Sequence, residues 1–201
     1  MQDIPDLLQN LLHNLQQVPY LASKNLYRVA NHFLEQDNDK IVQFCKTLLD
    51  VSQQIIRCRQ CFTWQQKEQA CTFCDAPKRD KTIICVVEKW PDVLVVERTS
   101  NFSGQYHVLG GVISPLNGVS PASLTIDYLV DRIQRHQPQE LVIALSQTPE
   151  SEATIAYITD RLQNVNLRIS VLAQGLPVGA ALEYMDRVTL MKAIVNRKQL
   201  L

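Results

Sequence analysis

Four cysteines are the residues of this sequence whose spacing points most clearly to chemistry. Cys58 and Cys61 form one CxxC pair, and Cys71 and Cys74 form a second pair after nine intervening residues. Each pair can present two sulfurs to one ion, and four thiolates complete the closed tetrahedral shell that Zn²⁺ prefers at structural sites. The pattern predicts one structural zinc ion with no coordination position left for catalysis.

The alternatives for these four residues are free thiols or a thioredoxin-type redox pair, but two paired motifs in one short loop seldom arise by chance. Phe62, Trp64 and Phe73 are the bulky apolar residues of the loop. So small a segment cannot order itself by burial alone, so we expect the metal to supply its ordering energy. Cys45 and Cys85 lie in apolar patterns of a helix and a strand, which predicts small core residues.

Charge bounds the partners that the chain can bind. Twenty Lys and Arg balance twenty Asp and Glu among 201 residues, so a surface for a polyanion must come from local segregation of charge. Residues 7–34 contain Lys24 and Arg28 and no acidic side chain. Charge alone leaves two interpretations of this segment open, a phosphate-facing surface or a helix pair with few charges of any kind.

The chain is predicted to be a soluble, unexported protein of the cytoplasm. It has no apolar run approaching the ~18 residues that a membrane span needs, and its start, Met1-Gln2-Asp3-Ile4-Pro5, lacks a basic stretch followed by an apolar one. In the cytosol cysteines remain reduced, which favours metal ligation over disulfides. We expect no membrane partner.

Hydrophobic spacing predicts the elements that must position these residues. Apolar residues recur at steps of three and four over the first 56 residues, which predicts three helices, the last running through Ile55 and Ile56. The segment Asp37-Asn38-Asp39 is predicted to cap the third helix with its side-chain oxygens.

Beyond the cysteines the pattern changes to strands alternating with helices. Thr82–Val87 reads as a strand buried on both faces, whereas Val93–Val96 is ambiguous between strand and helix by propensity. The alternation predicts a layered, mainly parallel sheet. The remaining predicted elements are strands at residues 106–109, 141–145 and 167–172 and helices at about 123–135, about 152–162 and after Gly179.

Several motifs in order and register resemble the bacterial recombination mediator family RecR over nearly the whole chain. They are the four cysteines after three helices, Arg79-Asp80, Ile84 to Glu88, Asp92 with Glu97-Arg98-Thr99, Tyr106 to Gly111, Ser114-Pro115-Leu116, Glu152-Ala153-Thr154, Gly175 to Gly179, Leu182-Glu183-Tyr184 and Thr189-Leu190. Independent motifs in register are far more specific than one cysteine pattern. In that family the stretch after Asp92 is a short helix, so we expect Val93 to Arg98 to be helical.

The resemblance implies an α+β multi-module fold. Its parts would be a helical region of the helix-hairpin-helix kind (residues 1–56), a four-cysteine zinc finger (57–77), an α/β Toprim domain with a mainly parallel sheet (78–174) and a carboxy-terminal segment with a Walker-B-like strand (175–201). RecR-like proteins have no established catalytic turnover. They form dimeric or tetrameric rings on double-stranded DNA and on junctions of single and double strands, and with RecO and RecF they load RecA onto gapped DNA.

The amino-terminal hairpin departs from the family pattern. The family has Gly-x-Gly there, which lets backbone amides approach a phosphate, whereas this chain has Tyr20 and Ala22. Lys24 and Arg28 stand where the family carries basic DNA contacts, one helical turn apart and therefore on one face. The resemblance predicts DNA contacts through these two cations, and the alternative is that they are merely solvated.

The second departure concerns acidic residues. Catalytic Toprim enzymes hold Mg²⁺ with a glutamate after the first strand and an Asp-x-Asp after a later strand. Glu88 fills the first position, but Ser146-Gln147-Thr148-Pro149 follows the later strand, with Glu150 and Glu152 nearby. We expect Glu88, Asp92, Glu150 and Glu152 to form a partner contact or a weak divalent site, against the alternative of ordinary strand-end and helix-cap carboxylates.

Three functions are therefore compared. The first is the DNA-repair mediator, the second is a Mg²⁺-dependent Toprim nuclease or primase-like enzyme, and the third is a cysteine ribbon that recognises RNA or a protein. The missing Asp-x-Asp argues against the enzyme. Trp64 and Phe62 could stack on bases, although such residues more often pack a small finger.

Overall fold

The chain is described by a computed structural model that covers residues 4–173 and 175–198. The start Met1-Gln2-Asp3 and the last positions of the predicted segments 78–174 and 175–201 lie outside these residues. Two compact units are present, residues 1–55 and 56–201. None of the described helices is long and apolar enough to cross a membrane.

The first unit contains three helices, α1 (Asp6–Gln16), α2 (Ser23–Leu34) and α3 (Asn38–Gln54). The apolar stripes of α1 and α2 meet in a small core around Leu12, Leu26 and Ala30. The Phe44 ring of α3 lies 5.3 Å from that of Phe33. The three predicted helices are thus confirmed.

Three predictions about α3 are wrong. Cys45 is exposed rather than buried, because the small core of the first unit is formed by α1 and α2 and no residue of α3 is buried in it. Ile55 and Ile56 belong to a short strand, β1 (Ile55–Arg57), which pairs with β2 (Trp64–Gln66), so the helix ends at Gln54. Asp37 occupies the N-cap position but makes no capping hydrogen bond; its carboxylate lies 3.4 Å from Lys40 instead.

A four-stranded, fully parallel sheet organises the second unit. Its strands are β3 (Asp80–Val87), β4 (Gly104–Val108), β5 (Glu140–Ala144) and β6 (Arg168–Val171), in the spatial order β4-β3-β5-β6. The connecting helices are α4 (Trp90–Arg98), α5 (Ile126–His136) and α6 (Pro149–Arg161), and α7 (Arg187–Val195) follows β6. The predicted parallel sheet is confirmed, as is the helical state of Val93 to Arg98.

Two apolar layers enclose the sheet. On one face Ile84 and Val86 pack with Leu129 and Ile133 of α5 and with Ile158 of α6. On the other face, Cys85, Val87, Tyr106 and Val108 pack with Val93 of α4 and with Phe62 and Phe73 of the cysteine loop. The continuous apolar run of β3 is required because both of its faces are covered.

Candidate metal centre and nucleic-acid interface

The four predicted cysteine ligands converge in the structure. Their sulfurs lie within 4.8 Å of one another, and all four side chains are buried. The Sγ separations are 3.9 Å for Cys58 and Cys74 and 3.5 Å for Cys61 and Cys71. Tetrahedral zinc with Zn–S bonds of ~2.3 Å requires sulfurs about 3.8 Å apart, which the two distances bracket. The donor set therefore fits one tetrahedral metal ion with an affinity for thiolate.

The four thiols shift one another's pKa values. A hydrogen bond with Cys61 is the largest influence that lowers the pKa of Cys58, to about 6, and hydrogen bonds with Cys58 first and then Cys61 lower that of Cys71. The pKa values of Cys61 and Cys74 are raised, in each case first by the hydrogen bond with Cys58. A divalent ion can replace the protons of such closely spaced thiols, because cysteine binds metal as the thiolate.

Polar groups around the sulfurs support them as ligands. The Thr63 hydroxyl, which is buried, lies 2.9 Å from the Cys61 sulfur, and the Gln60 amide donates to the Cys58 sulfur at 3.4 Å. The Asp75 carboxylate accepts the amide of Cys71 at 3.0 Å. Such contacts fix the orientation of ligands before a metal binds.

The cysteine loop covers the free edge of β4. The Val108 amide donates to the Cys61 carbonyl at 2.9 Å, and the Gln105 side chain donates to the Cys74 carbonyl at 2.7 Å. The Phe73 ring meets the Tyr106 ring edge-on at 5.7 Å. Every residue of β4 is buried although it is the outermost strand, since the loop satisfies an edge that would otherwise be exposed. The metal would therefore hold a loop that belongs to the sheet.

Lys24 and Arg28 lie together on one face of α2. Both side chains are exposed, as the one-turn spacing predicts. No described acidic residue forms an ion pair with either cation. The surface can therefore accept phosphates, and whether it does so stays a prediction.

The hairpin before α2 has a left-handed backbone conformation at Tyr20, one of the two positions where the family has glycine. Tyr20 has φ 67° and a fully exposed side chain, and Ala22 is the N-cap of α2 with φ −59°. The left-handed region costs about 1–2 kcal/mol for a residue with a Cβ. Tyr20 therefore has a backbone conformation that favours glycine, whereas Ala22 has one that any residue adopts.

The four acidic residues lie around the carboxyl ends of β3 and β5. Glu88 follows β3 directly and pairs with Lys89 at 3.2 Å, and Asp92 accepts the Lys89 amide at 2.8 Å as part of a capping box. Glu150 and Glu152 occupy the first turn of α6, where Glu152 lies 3.5 Å from Lys192. Strand order reverses between β3 and β5, the usual position of ligand crevices in parallel sheets.

These carboxylates are not assembled around one point. Among the described residues, the cysteines are the one set in which three or more ligand atoms of His, Cys, Asp or Glu come within 4.8 Å. The structure thus brings the cysteines together and leaves Glu88, Asp92, Glu150 and Glu152 as local pairs and caps. Their role in a divalent site or partner contact stays a prediction.

Sequence reasoning missed two polar networks. Arg79 makes two hydrogen bonds to Glu97, at 2.8 and 2.6 Å, and the Tyr106 hydroxyl donates to the same carboxylate at 2.5 Å. Arg132 is buried on α5 and donates to the Gln105 side chain at 2.8 Å. The position of Arg132 within the inward-facing, otherwise apolar stripe of α5 could have indicated that this arginine is buried.

His107 is a fully buried side chain of β4 that contacts Thr125. Its Nε2 lies 3.1 Å from the Thr125 carbonyl oxygen and 3.0 Å from the Thr125 hydroxyl. Burial first, and the nearby Arg132 cation second, lower the pKa of His107 to about 3. Its imidazole is therefore neutral at neutral pH and keeps a single ring N–H.

Comparison with known proteins gives agreeing results for two parts of the chain. A family model described as Toprim domain matches residues 82–173, and one described as RecR, C-terminal matches residues 175–198. The first covers α4 to α6 and most of the sheet, and the second covers α7.

Curated relatives extend the similarity over nearly the full length. A Recombination protein RecR from Synechococcus sp. (strain JA-2-3B'a(2-13)) is 42% identical over 195 residues, which are 96% of this chain and 98% of that protein. Those of Acidothermus cellulolyticus and Staphylococcus haemolyticus are 40% and 36% identical, covering 96% and 98% of this chain and 97% and 98% of the relatives. The resemblance inferred from the motifs is confirmed, and the chain belongs to the family of the recombination protein RecR.

Proposed function

We propose that this protein is a DNA-binding mediator of recombination and repair that closes as an oligomeric clamp on DNA. With partners of the RecO and RecF type it helps to load the RecA recombinase onto gapped single-stranded DNA. The observation that carries the proposal is the similarity to proteins named Recombination protein RecR over 96% of the chain. We place its action in the cytoplasm, where the thiols of the cysteine loop stay reduced and able to bind metal.

The DNA contact is assigned to α2. Lys24 and Arg28 are exposed on one face of a segment, residues 7–34, that has no acidic side chain to repel a phosphate. Cations of this kind bind duplexes and junctions through the backbone, without reading sequence. Since Tyr20 and Ala22 replace the glycines of the hairpin, the side chains rather than the backbone amides make the contact.

Zinc is the metal that we assign to the four cysteines. Four buried cysteine sulfurs within 4.8 Å of one another favour zinc in a structural site, and a closed shell leaves no position for a water nucleophile. The ion would hold the loop on the β4 edge. The predicted division into helical region (1–56), finger (57–77), Toprim domain (78–174) and carboxy-terminal segment (175–201) remains part of this proposal.

Self-association into a dimer or tetramer ring is supported by uncovered apolar surface on α3. Val42, Phe44, Leu48 and Leu49 are each more than half exposed, at 58, 51, 58 and 60%. Apolar area of this kind is the usual material of an interface between copies. A ring would also bring several copies of Lys24 and Arg28 to one DNA molecule.

We propose no catalytic turnover. Glu88 has no Asp-x-Asp partner after β5, and the described carboxylates do not converge within metal-binding distance. The acidic residues Glu88, Asp92, Glu150 and Glu152 are assigned to partner contact, with weak Mg²⁺ binding as the second possibility. The rival Mg²⁺-dependent nuclease or primase requires cleavage or synthesis that Glu88→Gln abolishes.

Fluorescence anisotropy with a labelled gapped duplex tests the DNA contact. Removing one phosphate-binding cation should make the slope of log K against log salt concentration shallower by about 0.9. Lys24→Ala/Arg28→Ala should therefore bind more weakly and with a shallower slope. Arg98→Ala/Arg187→Ala removes the same charge from exposed positions outside α2 and α3 and should behave as the wild type. Equal curves for all three proteins would contradict the assignment.

A further inference from the structure

A second cation-lined site lies within the unit of residues 56–201, between the first cysteine pair and α5. It is a cavity of about 250 Å³ whose walls are Arg59, Gln60, Tyr128, Arg132, Arg135 and His136. Three of these side chains are arginines and no carboxylate is among them. The cavity therefore concentrates positive charge in a chain whose formal net charge is zero.

Arg132 makes this cavity different from a cluster of solvated arginines. Its side chain is 98% buried, since its exposure is 2%, and it forms no ion pair with any described carboxylate. Its terminal nitrogens donate to the Tyr106 carbonyl at 2.6 Å and to the Gln105 side chain at 2.8 Å, and its Nε is buried without an acceptor. A buried cation with neutral partners only is costly, and an anion nearby would offset that cost.

The walls of the cavity are held in place before any ligand binds. Tyr128, Arg132, Arg135 and His136 are spaced at three and four residues, so they share one face of α5. The Phe62 and Tyr128 rings lie 5.1 Å apart, and the side-chain nitrogen Nε2 of Gln60 lies 3.4 Å from the Nε2 of His136. The loop thus contacts α5 at Tyr128 and His136, two of the residues that line the cavity, which lowers the ordering cost of binding.

An adjoining cavity of about 260 Å³ continues the surface past Gln60 and His136 to Lys81 and Asp75. Asp75 is its acidic residue, and its carboxylate accepts the Cys71 amide. With a volume of about 250 Å³, the first cavity is large enough to take a phosphate group. Arginine is the side chain best matched to phosphate oxygens.

We propose that this cavity binds one backbone phosphate of DNA, giving the Toprim-containing unit a DNA contact of its own. The inference rests on the proposed DNA-binding function, and it adds a contact to that of Lys24 and Arg28. Arg59 and Arg135 would reach the phosphate from the exposed rim, while Arg132 supplies fixed positive charge behind them.

The test measures the binding of a fluorescein-labelled duplex with a single-stranded tail by anisotropy. Removing one phosphate contact makes the slope of log K against log salt concentration shallower by about 0.9. When the salt is raised from about 50 to 200 mM, the factor by which the affinity falls should therefore be ~3.5 times smaller for Arg59→Ala/Arg135→Ala than for the wild type. Arg98→Ala/Arg187→Ala removes two exposed cations of the same unit from outside the cavity and should match the wild type. The pair Arg135→Ala/His136→Ala leaves the cysteine loop intact and should repeat the effect.

The outcomes separate the two proposals. If Lys24→Ala/Arg28→Ala weakens binding while both cavity pairs match the wild type, the cavity assignment is overturned and the proposed function stands. If the wild type ignores DNA at low salt, both fail. A second arm compares thermal unfolding in inorganic phosphate and in chloride at equal ionic strength. A stabilisation by phosphate that the cavity pairs abolish, with unchanged DNA curves, would assign the cavity to a free phosphate and overturn the DNA contact.

Discussion

Replacement of Glu97 by glutamine tests how the start of the sheet is fixed to α4. Arg79 and Glu97 are only 13 and 30% exposed, and the carboxylate receives two bonds from the guanidinium and one from Tyr106. A bond to a charged group contributes about 1.5–3 kcal/mol. The glutamine amide can still accept on its oxygen but turns its nitrogen toward donors, so we expect Glu97→Gln to lower the free energy of unfolding by ~2 kcal/mol at pH 7.

The same substitution has a pH signature. The hydrogen bonds from Arg79 lower the pKa of Glu97 below its ordinary value of 4.5. A carboxyl whose pKa is lowered on folding stabilises the protein above its unfolded pKa, and this stability is lost as the pH falls through the folded pKa. The difference between the wild type and Glu97→Gln should therefore be full at pH 7 and should shrink below about pH 4.5.

Urea unfolding at a series of pH values measures this difference. Protonation of the cysteines affects both proteins alike, so it cancels when one curve is subtracted from the other. Glu183→Gln, an exposed carboxyl in the short helix Leu182–Tyr184, is the control and should change little. A difference that stays constant from neutral to acid pH, or that is absent at pH 7, would refute the reasoning.

Three further changes have defined outcomes. Tyr20→Gly should raise the thermal midpoint, because glycine removes ~1 kcal/mol of left-handed strain and the greater backbone entropy that glycine loses on folding offsets only part of this gain. A lower midpoint would contradict this. A chelator that removes the proposed metal ion should alter the tryptophan fluorescence, to which Trp64 of the loop and Trp90 contribute, and the near-ultraviolet dichroism, whereas unchanged spectra would contradict a loop that the metal orders. His107→Gln should flatten the loss of stability below about pH 6.5, since the buried histidine resists protonation and the unfolded one does not; the slope should decrease by at most ~1.4 kcal/mol per pH unit.

The elements and the convergence of the four cysteines were largely predictable from local pattern. Cys58, Cys61, Cys71 and Cys74 converge as their spacing indicates, and β3 is buried on both faces as its apolar run indicates. Such features depend on neighbours in sequence. The helical state of Val93 to Arg98 did not follow from propensity and needed the family resemblance, because its β-branched residues favour a strand.

Contacts between residues far apart in the sequence could not be predicted from hydrophobic periodicity. Gln105 and Arg132 are 27 residues apart, and no periodicity indicates that an arginine inside an apolar stripe will meet a glutamine on β4. Cys45 failed for a related reason. An apolar stripe predicts a buried face only if another element covers it, and the sequence pattern of one helix does not show whether one does; Cys45 is exposed.

Retention on circular DNA tests most directly whether the protein acts as a clamp. The protein is bound to a labelled gapped circle and to the same molecule cut open, and both are then moved to high salt, which weakens the phosphate contacts. A closed ring should stay on the circle and slide off the cut ends, so the fraction retained should differ greatly between the two. Equal, rapid loss from circle and linear DNA would contradict the account.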